Sequence, residues 1–166
     1  MDTLSHALWG MGFFGYRRYR WQAFMVGALP DLLAFGVLFL VRMVDGSLTF
    51  GKPALDTIPA WTFVVYDVTH SWVIAGTVIA LVWKLNRGIG FMLLAWPVHI
   101  LLDIPFHSTD FFPTKMLWPI SDFHIDGIPW SSPWIWFPNL AGLLILYSYR
   151  WKRRKGPYGE RLHPDP

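Results

Sequence analysis

The chain has no cysteine, and only 15% of its residues are charged, against about a quarter in an ordinary soluble domain. The absence of cysteine excludes a disulfide scaffold, a zinc ribbon and a cysteine nucleophile, and it leaves the redox compartment open. Hydrophobic residues make up 54% of the chain, which excludes intrinsic disorder. So large an apolar fraction exceeds what the core of a 166-residue soluble domain needs. The composition is typical of a membrane protein.

Aromatic and basic residues point to the same class. Eleven tryptophans are present, and tryptophan is enriched where proteins meet the membrane–water interface. The basic residues are concentrated in short blocks beside apolar runs, at 17–20, 84–87 and 150–155. Such blocks are typical of the cytoplasmic flanks of transmembrane helices. Because no nucleic-acid-binding motif accompanies them, nucleic acid is not expected as a partner.

Four apolar segments are candidates for crossing a bilayer: 22–41, 61–83, 88–106 and 133–149. Residues 1–16 are also apolar but reach only about 24 Å as a helix, so we expect a short, tilted or re-entrant element there. With all basic blocks in the cytoplasm, the four spans run out, in, out and in.

The sequence therefore predicts an all-α, polytopic membrane helix bundle with four to five transmembrane or re-entrant helices. Residues 1–150 would form one transmembrane domain, and residues 151–166 a basic, flexible cytoplasmic tail. The expected location is the inner or plasma membrane, and the expected partners are membrane lipids. The oligomeric state stays open.

Acids and histidines interrupt these apolar segments. Ionisable groups inside a membrane are costly, so they pair, bind metal or line a water-filled cavity. Since the segments contain no Lys or Arg to neutralise the acids, the acids need either protons or a metal cation that neutral histidines also ligate. The residues concerned are Asp2, His6, Asp31, Asp67, His70, His99 and Asp103.

Distances along the predicted helices place these groups in one layer. Measured along the helix from the nearest cytoplasmic basic residue, His6 and Asp31 each lie about 16 Å toward the outer side. On the same count His70 lies about 21 Å, His99 about 18 Å and Asp103 about 24 Å up. His99 and Asp103 stand four residues apart on one helical face, so they can chelate one ion or bridge two. Mixed imidazole and carboxylate ligation suits Zn²⁺ first, and Mn²⁺ or Fe²⁺ next.

Single residues also have structural interpretations. A buried histidine such as His6 or His99 can be satisfied by a hydrogen bond alone. Asp31 follows a proline in GALPDL, a pattern that fits the N-cap of a half-helix. Asp67 can orient His70 as a hydrogen-bond acceptor without binding metal. Taken together, however, the set favours a metal site.

Short motifs carry a resemblance to a known family. DTLSHALWG, GALPDL, THS and HILLD followed by LWP resemble the membrane-bound metal-dependent hydrolase family of inner-membrane hydrolases, over roughly residues 1–120. The order of ligand types is also similar to zinc-dependent phospholipase C and the related single-strand-specific zinc nucleases, where an all-helical fold holds a zinc cluster that hydrolyses phosphoesters. The resemblance implies metal ligation by His6, Asp31, His70, His99 and Asp103.

The chain departs from that pattern in places. In the soluble enzymes the N-terminal amine helps to ligate zinc, and an acid at the position of Asp103 bridges two ions. Because several residues separate Met1 from His6, we expect the Asp2 carboxylate to replace the amine here. The chain also reads YDVTHS where the family often has a basic residue. The candidates for the remaining ligands are His107, Asp110, His124 and Asp126.

The expected function is a membrane-embedded, metal-dependent hydrolase that binds one to three ions, zinc above all. The substrate would be a phosphoester such as a phospholipid or lipid phosphate, with Lys115 and Arg42 attracting its head group at the outward openings. A hydrolytic triad of Ser121, His124 and Asp126 is disfavoured, because triad partners normally come from separate elements. The alternatives are a proton or metal-ion pathway, and an accessory membrane protein with a structural metal site.

Overall fold

The computed structural model describes residues 1–15, 18–49 and 51–155. Arg17 of the first basic block and residues 156–166 of the predicted tail lie outside these ranges. Regular structure within the described ranges is entirely helical. The elements are α1 (Thr3–Phe14), α2 (Arg20–Asp31), a π-helical stretch (Leu32–Gly36), α3 (Val37–Asp45), a 3₁₀ turn (Leu55–Thr57), α4 (Ala60–Thr69), α5 (Trp72–Leu85), α6 (Arg87–Leu93), α7 (Ala95–Asp103) and α8 (Pro133–Lys155).

The prediction of a polytopic bundle with four to five spans is wrong. Within the described residues, one continuous helix, Arg20–Asp45, is long and apolar enough to cross a membrane. A second span exists only if α4 and α5, which meet at 51°, count as one broken crossing. The predicted topology of alternating spans therefore does not hold.

Helix breaks explain the difference for two of the predicted segments. The apolar segment 61–83 is interrupted between α4 and α5. The segment 88–106 is divided into α6 and α7, of seven and nine residues, and nine helical residues extend only about 14 Å. The segment 133–149 belongs to α8, which continues into the basic residues up to Lys155. The predicted boundary between domain and tail at residue 150 thus falls within a helix.

Close backbone contact joins α1 to α2. A Cβ atom at Gly10 would lie 2.7 Å from the carbonyl oxygen of Ala23, and one at Gly27 would lie 2.5 Å from the carbonyl oxygen of His6. Glycine is required where backbones approach so closely. The two helices also pack against α7. This packing places His6 beside α2 and α7.

The helix Arg20–Asp45 runs through a proline without ending. Pro30 leaves one backbone position without an N–H donor, and the π-helical stretch follows directly. Asp31 has helical torsion angles and makes no capping hydrogen bond, so the half-helix cap proposed for it does not form. Its side chain is buried instead.

The segment 104–132 between α7 and α8 is irregular but contributes to the core. Phe112 packs in a cluster with Leu38 and Tyr66, while Met116 packs with Ile100. The Met116 carbonyl also accepts a hydrogen bond from the backbone of Trp72 at 2.9 Å. This stretch is therefore anchored against α4, α5 and α7.

Candidate metal centre

Two histidines from different elements face each other in the interior. His70 lies at the break between α4 and α5, His99 lies in α7, and their Nε2 atoms are 3.1 Å apart. The Nδ1 atom of His70 is 3.0 Å from the Tyr66 carbonyl oxygen, and that of His99 is 2.7 Å from the Gly27 carbonyl oxygen. A carbonyl only accepts, so each Nδ1 carries the hydrogen. In the neutral imidazoles both Nε2 lone pairs therefore point into one space, which suits a shared cation.

Two carboxylates complete this space. The Asp31 Oδ1 atom is 3.6 Å from the Nε2 of His70 and 3.7 Å from that of His99. The Asp103 Oδ2 atom is 3.5 Å and 3.1 Å from the same two nitrogens. All four side chains are buried, and one ligand atom from each lies within 4.8 Å of the others. Asp103 Oδ2 has no hydrogen-bond partner among the described residues, so these four residues form a site that can hold a metal ion.

The second oxygen of Asp103 faces a different group. Its Oδ1 atom is 2.9 Å from the Nε2 of His6 and 3.3 Å from the Nε2 of His107, and it also contacts the backbone amine of Met1. The Nδ1 atom of His107 is 3.0 Å from the Phe112 carbonyl oxygen, so its Nε2 again carries the lone pair. Asp103 therefore stands between two sets of histidines.

The surroundings set the protonation states of His6 and Asp103. Burial lowers the pKa of the His6 imidazole to about 4, against the opposing effect of Asp103. Burial alone raises the pKa of the Asp103 carboxyl, but His6, the Met1 amine and His99 hold it well below its usual range. His6 is therefore neutral and Asp103 ionised at neutral pH, which are the forms that ligate metals.

His70 behaves differently when no cation is present. Burial lowers the pKa of its imidazole, but the nearby carboxylates of Asp103 and Asp31 outweigh burial and raise this pKa to about 9. A proton on His70 then relieves the repulsion among the facing nitrogen and oxygen atoms. A metal ion at the same place has to displace that proton.

The structure brings most of the predicted ligands together. The residues that meet are His6, Asp31, His70, His99 and Asp103, and His107 joins them through Asp103 Oδ1. The first five come from α1, α2, the α4–α5 break and α7, and His107 follows α7 in the chain. His6 and His99 also stack, with ring centroids 3.7 Å apart.

Asp2 and Asp67, two predicted metal ligands, lie elsewhere. The Asp67 Oδ2 atom pairs with Lys115 Nζ at 2.9 Å, so this acid does have a cationic partner, supplied by the 104–132 segment. The Asp2 carboxylate caps α1 by accepting hydrogen bonds from the backbone N–H and the hydroxyl of Ser5, at 2.8 and 2.6 Å. The Met1 amine, and not Asp2, reaches Asp103.

The loop candidates make contacts within the 104–132 segment. The Asp126 Oδ1 atom accepts from the Thr109 backbone N–H at 2.8 Å, and His124 Nδ1 donates to the Asp122 carbonyl at 2.9 Å. The Ser121 hydroxyl accepts from a neighbouring backbone N–H. None of these side-chain contacts joins Ser121, His124 and Asp126 into a triad. Asp110 is exposed.

Sequence reasoning missed the residues that orient the ligands. The Thr3 hydroxyl donates to Asp31 Oδ2 at 2.8 Å, and the Tyr66 hydroxyl lies 3.2 Å from His107 Nδ1. Thr3 lies three residues before His6 in the DTLSH motif, and this closeness to a predicted ligand was the available signal for its role. The acceptor role of the Gly27 and Tyr66 carbonyls has no sequence signal, because every residue carries a carbonyl.

A cavity of about 480 Å³ adjoins the cluster, with Asp31 and His107 in its lining. Its other walls are mostly apolar and include Phe35, Leu38 and Trp130. The cluster is thus buried among helices on most sides yet borders a space of ligand size.

Comparison of the chain with protein-family models, curated proteins and solved structures finds no match in any of the three. The chemistry of the site therefore has to be argued from its own geometry.

Proposed function

We propose that this protein is a metal-dependent hydrolase whose His/Asp cluster binds zinc and hydrolyses a phosphoester of an amphiphilic molecule, such as a phospholipid or lipid phosphate. One observation carries the proposal: the facing Nε2 atoms of His70 and His99, 3.1 Å apart beside the carboxylates of Asp31 and Asp103. Ligating histidines usually donate their other ring N–H to a carbonyl or carboxylate. His70 and His99 both have that arrangement.

The two sides of Asp103 support a centre of two ions. Asp31, His70 and His99 face its Oδ2 atom, while His6 and His107 face its Oδ1 atom. A carboxylate whose two oxygens face separate sets of histidines would be suited to bridging two metal ions. Zinc is the first choice for mixed imidazole and carboxylate ligands, with Mn²⁺ and Fe²⁺ next. The resemblance to membrane-bound metal-dependent hydrolases implies the same five principal ligands.

A divalent metal bound there supplies Lewis-acid activation of water and of a phosphoryl oxygen. The chain's own residues hold the ligand atoms in place. Thr3 fixes Asp31 through its hydroxyl, and the Tyr66 and Gly27 carbonyls fix the tautomers of His70 and His99. Such fixed orientation of the ligand side chains is worth about 10–100-fold in metal affinity or activity.

The cavity favours catalysis over a purely structural metal. Structural zinc sites are closed by protein ligands, whereas catalytic sites keep one position open to water or substrate. Asp31 and His107 both line the cavity, so a molecule in this space lies beside the cluster. The grouping of the polar residues in one cluster argues against an ion pathway, because a pathway needs polar groups along its whole route.

The apolar surface supports an amphiphilic substrate and a location at a membrane. Large apolar side chains are widely exposed, among them Trp134 at 86%, Ile145 at 70% and Trp21 at 61%. Surfaces of this kind mark contact with lipid or with another protein. A hydrolase with such a surface meets lipid-phase substrates directly.

Metal analysis of purified protein tests the proposal. We expect near-stoichiometric zinc and metal-dependent hydrolysis of an aryl phosphodiester in the wild type, both lost in His99→Ala. His124→Ala is the matched control, because His124 is partly exposed and makes a local backbone contact; it should keep both. Hydrolysis that persists in His99→Ala or after complete metal removal would overturn the proposal. Zinc that stabilises the protein without turnover of any phosphoester would favour the structural alternative.

A further inference from the structure

One face of the helix Arg20–Asp45 leads from the metal cluster to an arginine. Asp31, Phe35, Leu38 and Arg42 follow each other at steps of four, three and four residues, and all four line the same cavity. Steps of three and four keep side chains on one helical face. Eleven residues separate Asp31 from Arg42, which corresponds to about 16 Å along the helix. The cavity therefore joins the His/Asp cluster, which would attract phosphoryl oxygens once it holds a metal ion, to a cationic side chain, with an apolar wall between them.

Arg42 is held in position by the 3₁₀ turn. Its Nη2 atom donates to the carbonyl oxygen and to the hydroxyl of Thr57, both at 2.9 Å. The Thr57 hydroxyl donates in turn to the Ala54 carbonyl at 2.7 Å. These bonds use one of the three guanidinium nitrogens, and a guanidinium carries five N–H donors. A fixed guanidinium with donors to spare is suited to a planar or tetrahedral anion.

Lys115, the other cation expected near the openings, differs from Arg42. Its Nζ atom is 2.9 Å from Asp67 and 3.4 Å from Asp122, so its charge is compensated by two acids. Lys115 is also not among the residues that line the cavity. Of these two cations, only Arg42 is placed to contact a molecule in that space.

We propose that Arg42 is a specificity-determining residue that binds an anionic group, phosphate or carboxylate, of the substrate. The apolar part of the same molecule lies along Phe35 and Leu38, and its phosphoester reaches the His/Asp cluster. The ligand class is an elongated amphiphile with polar groups at both ends of an apolar stretch. This inference rests on the proposed hydrolase function, since it assigns the far end of the same cavity.

Binding of two matched phosphonates tests the inference without turnover. Both carry the same alkyl chain; one ends in a carboxylate and the other in a methyl group, and a phosphonate is not hydrolysed. We expect Arg42→Gln to weaken the binding of the carboxylate ligand about tenfold or more, as for a lost charged hydrogen bond. The affinity for the methyl ligand should not change. Arg42→Lys should restore part of the loss. Lys84→Gln removes an exposed charge away from the cavity and should change neither affinity.

Kinetics with the corresponding phosphoesters give an independent measure. Because Arg42 lies about 16 Å from Asp31 along the helix, Arg42→Gln should raise KM for the carboxylate substrate and leave kcat unchanged. The role of Arg42 is overturned if Arg42→Gln reduces the affinity for both ligands equally or if Lys84→Gln causes the same loss of affinity. It is also overturned if neither phosphonate binds to the wild type. Selective binding through Arg42 without any hydrolysis refutes the hydrolase proposal alone. Metal-dependent hydrolysis that is indifferent to Arg42 refutes this inference alone.

Discussion

The Nε2 atoms of His70 and His99 lie 3.1 Å apart, although 29 residues separate the two histidines in the chain. Both rings are fixed by backbone carbonyls at Nδ1, so neither can turn away without losing a buried hydrogen bond. The approach of two nitrogen lone pairs is stable only when a cation lies between them or a proton sits on one of them. The metal-free and metal-bound proteins should therefore differ in protonation.

We predict that zinc binding releases a proton from His70. Burial lowers the pKa of this imidazole, but the nearby carboxylates of Asp103 and Asp31 outweigh burial and raise it to about 9 in the metal-free protein. At neutral pH the ion must displace that proton, so zinc affinity should rise about tenfold per pH unit up to about pH 9 for this one proton. Titration calorimetry in two buffers of different ionisation enthalpy measures the proton count. A count of zero at neutral pH would contradict the prediction.

The raised pKa of His70 also makes the metal-free protein less stable at alkaline pH. A pKa raised from 6.5 to about 9 contributes stability that is fully present below pH 6.5 and is lost as the pH rises through about 9. Urea unfolding of the metal-free protein across this range should show the loss, and the zinc-loaded protein should not. His124→Ala, which changes a partly exposed histidine outside the cluster, should follow the wild type.

Asp31 and Asp67 provide a second test, because the sequence suggested both as ligands and the structure separates them. Asp31→Asn should remove most of the bound zinc, since its Oδ1 faces His70 and His99. Asp67→Asn should keep the zinc and lose only the ion pair with Lys115, with a stability change of about 1 kcal/mol or less. Elemental analysis and thermal unfolding of the two variants, side by side, decide the point. Equal zinc loss in both would place Asp67 back in the site.

The convergence of the ligands was predictable because burial of ionisable groups restricts what they can do. His6, Asp31 and His99 each sit in an apolar stretch without a nearby cation in sequence, and such groups have to find each other. The distances along the helices, in contrast, assumed alternating membrane spans, and the structure contradicts those spans. A meeting of buried acids and histidines was therefore predictable from their burial and charge, whereas the number of spans was not.

The helix breaks escaped prediction because hydropathy does not register capping. Ser71 ends the first half of one apolar run and caps α5, accepting from Val73 N–H at 3.1 Å and from Ile74 N–H at 3.2 Å. A single serine hardly changes the average over a long apolar window, yet it reorients the chain. Asp67 was misassigned for another reason: its partner Lys115 is 48 residues away in an irregular segment, and no local pattern encodes that contact.

Gly27 should be essential for the geometry of the site. A Cβ there would lie 2.5 Å from the carbonyl oxygen of His6, and the Gly27 carbonyl also accepts from His99. Gly27→Ala should therefore destabilise the protein by about 1–3 kcal/mol through overpacking and reduce bound zinc. Gly76→Ala is the control, because nothing lies within 4 Å of a Cβ at that helical position. It should be neutral or stabilise by up to about 1 kcal/mol, as measured by urea unfolding.

Thr3 should act on the metal site only through Asp31. Its hydroxyl donates to Asp31 Oδ2 at 2.8 Å, while Asp31 Oδ1 faces the two histidines. Thr3→Ala should lower zinc affinity about 10–100-fold by releasing the carboxylate, and Thr3→Ser, which keeps the hydroxyl, should restore it. Zinc titration against a competing chelator measures both variants. If Thr3→Ser is as weak as Thr3→Ala, the lost methyl packing and not the hydrogen bond matters, and the positioning role is refuted.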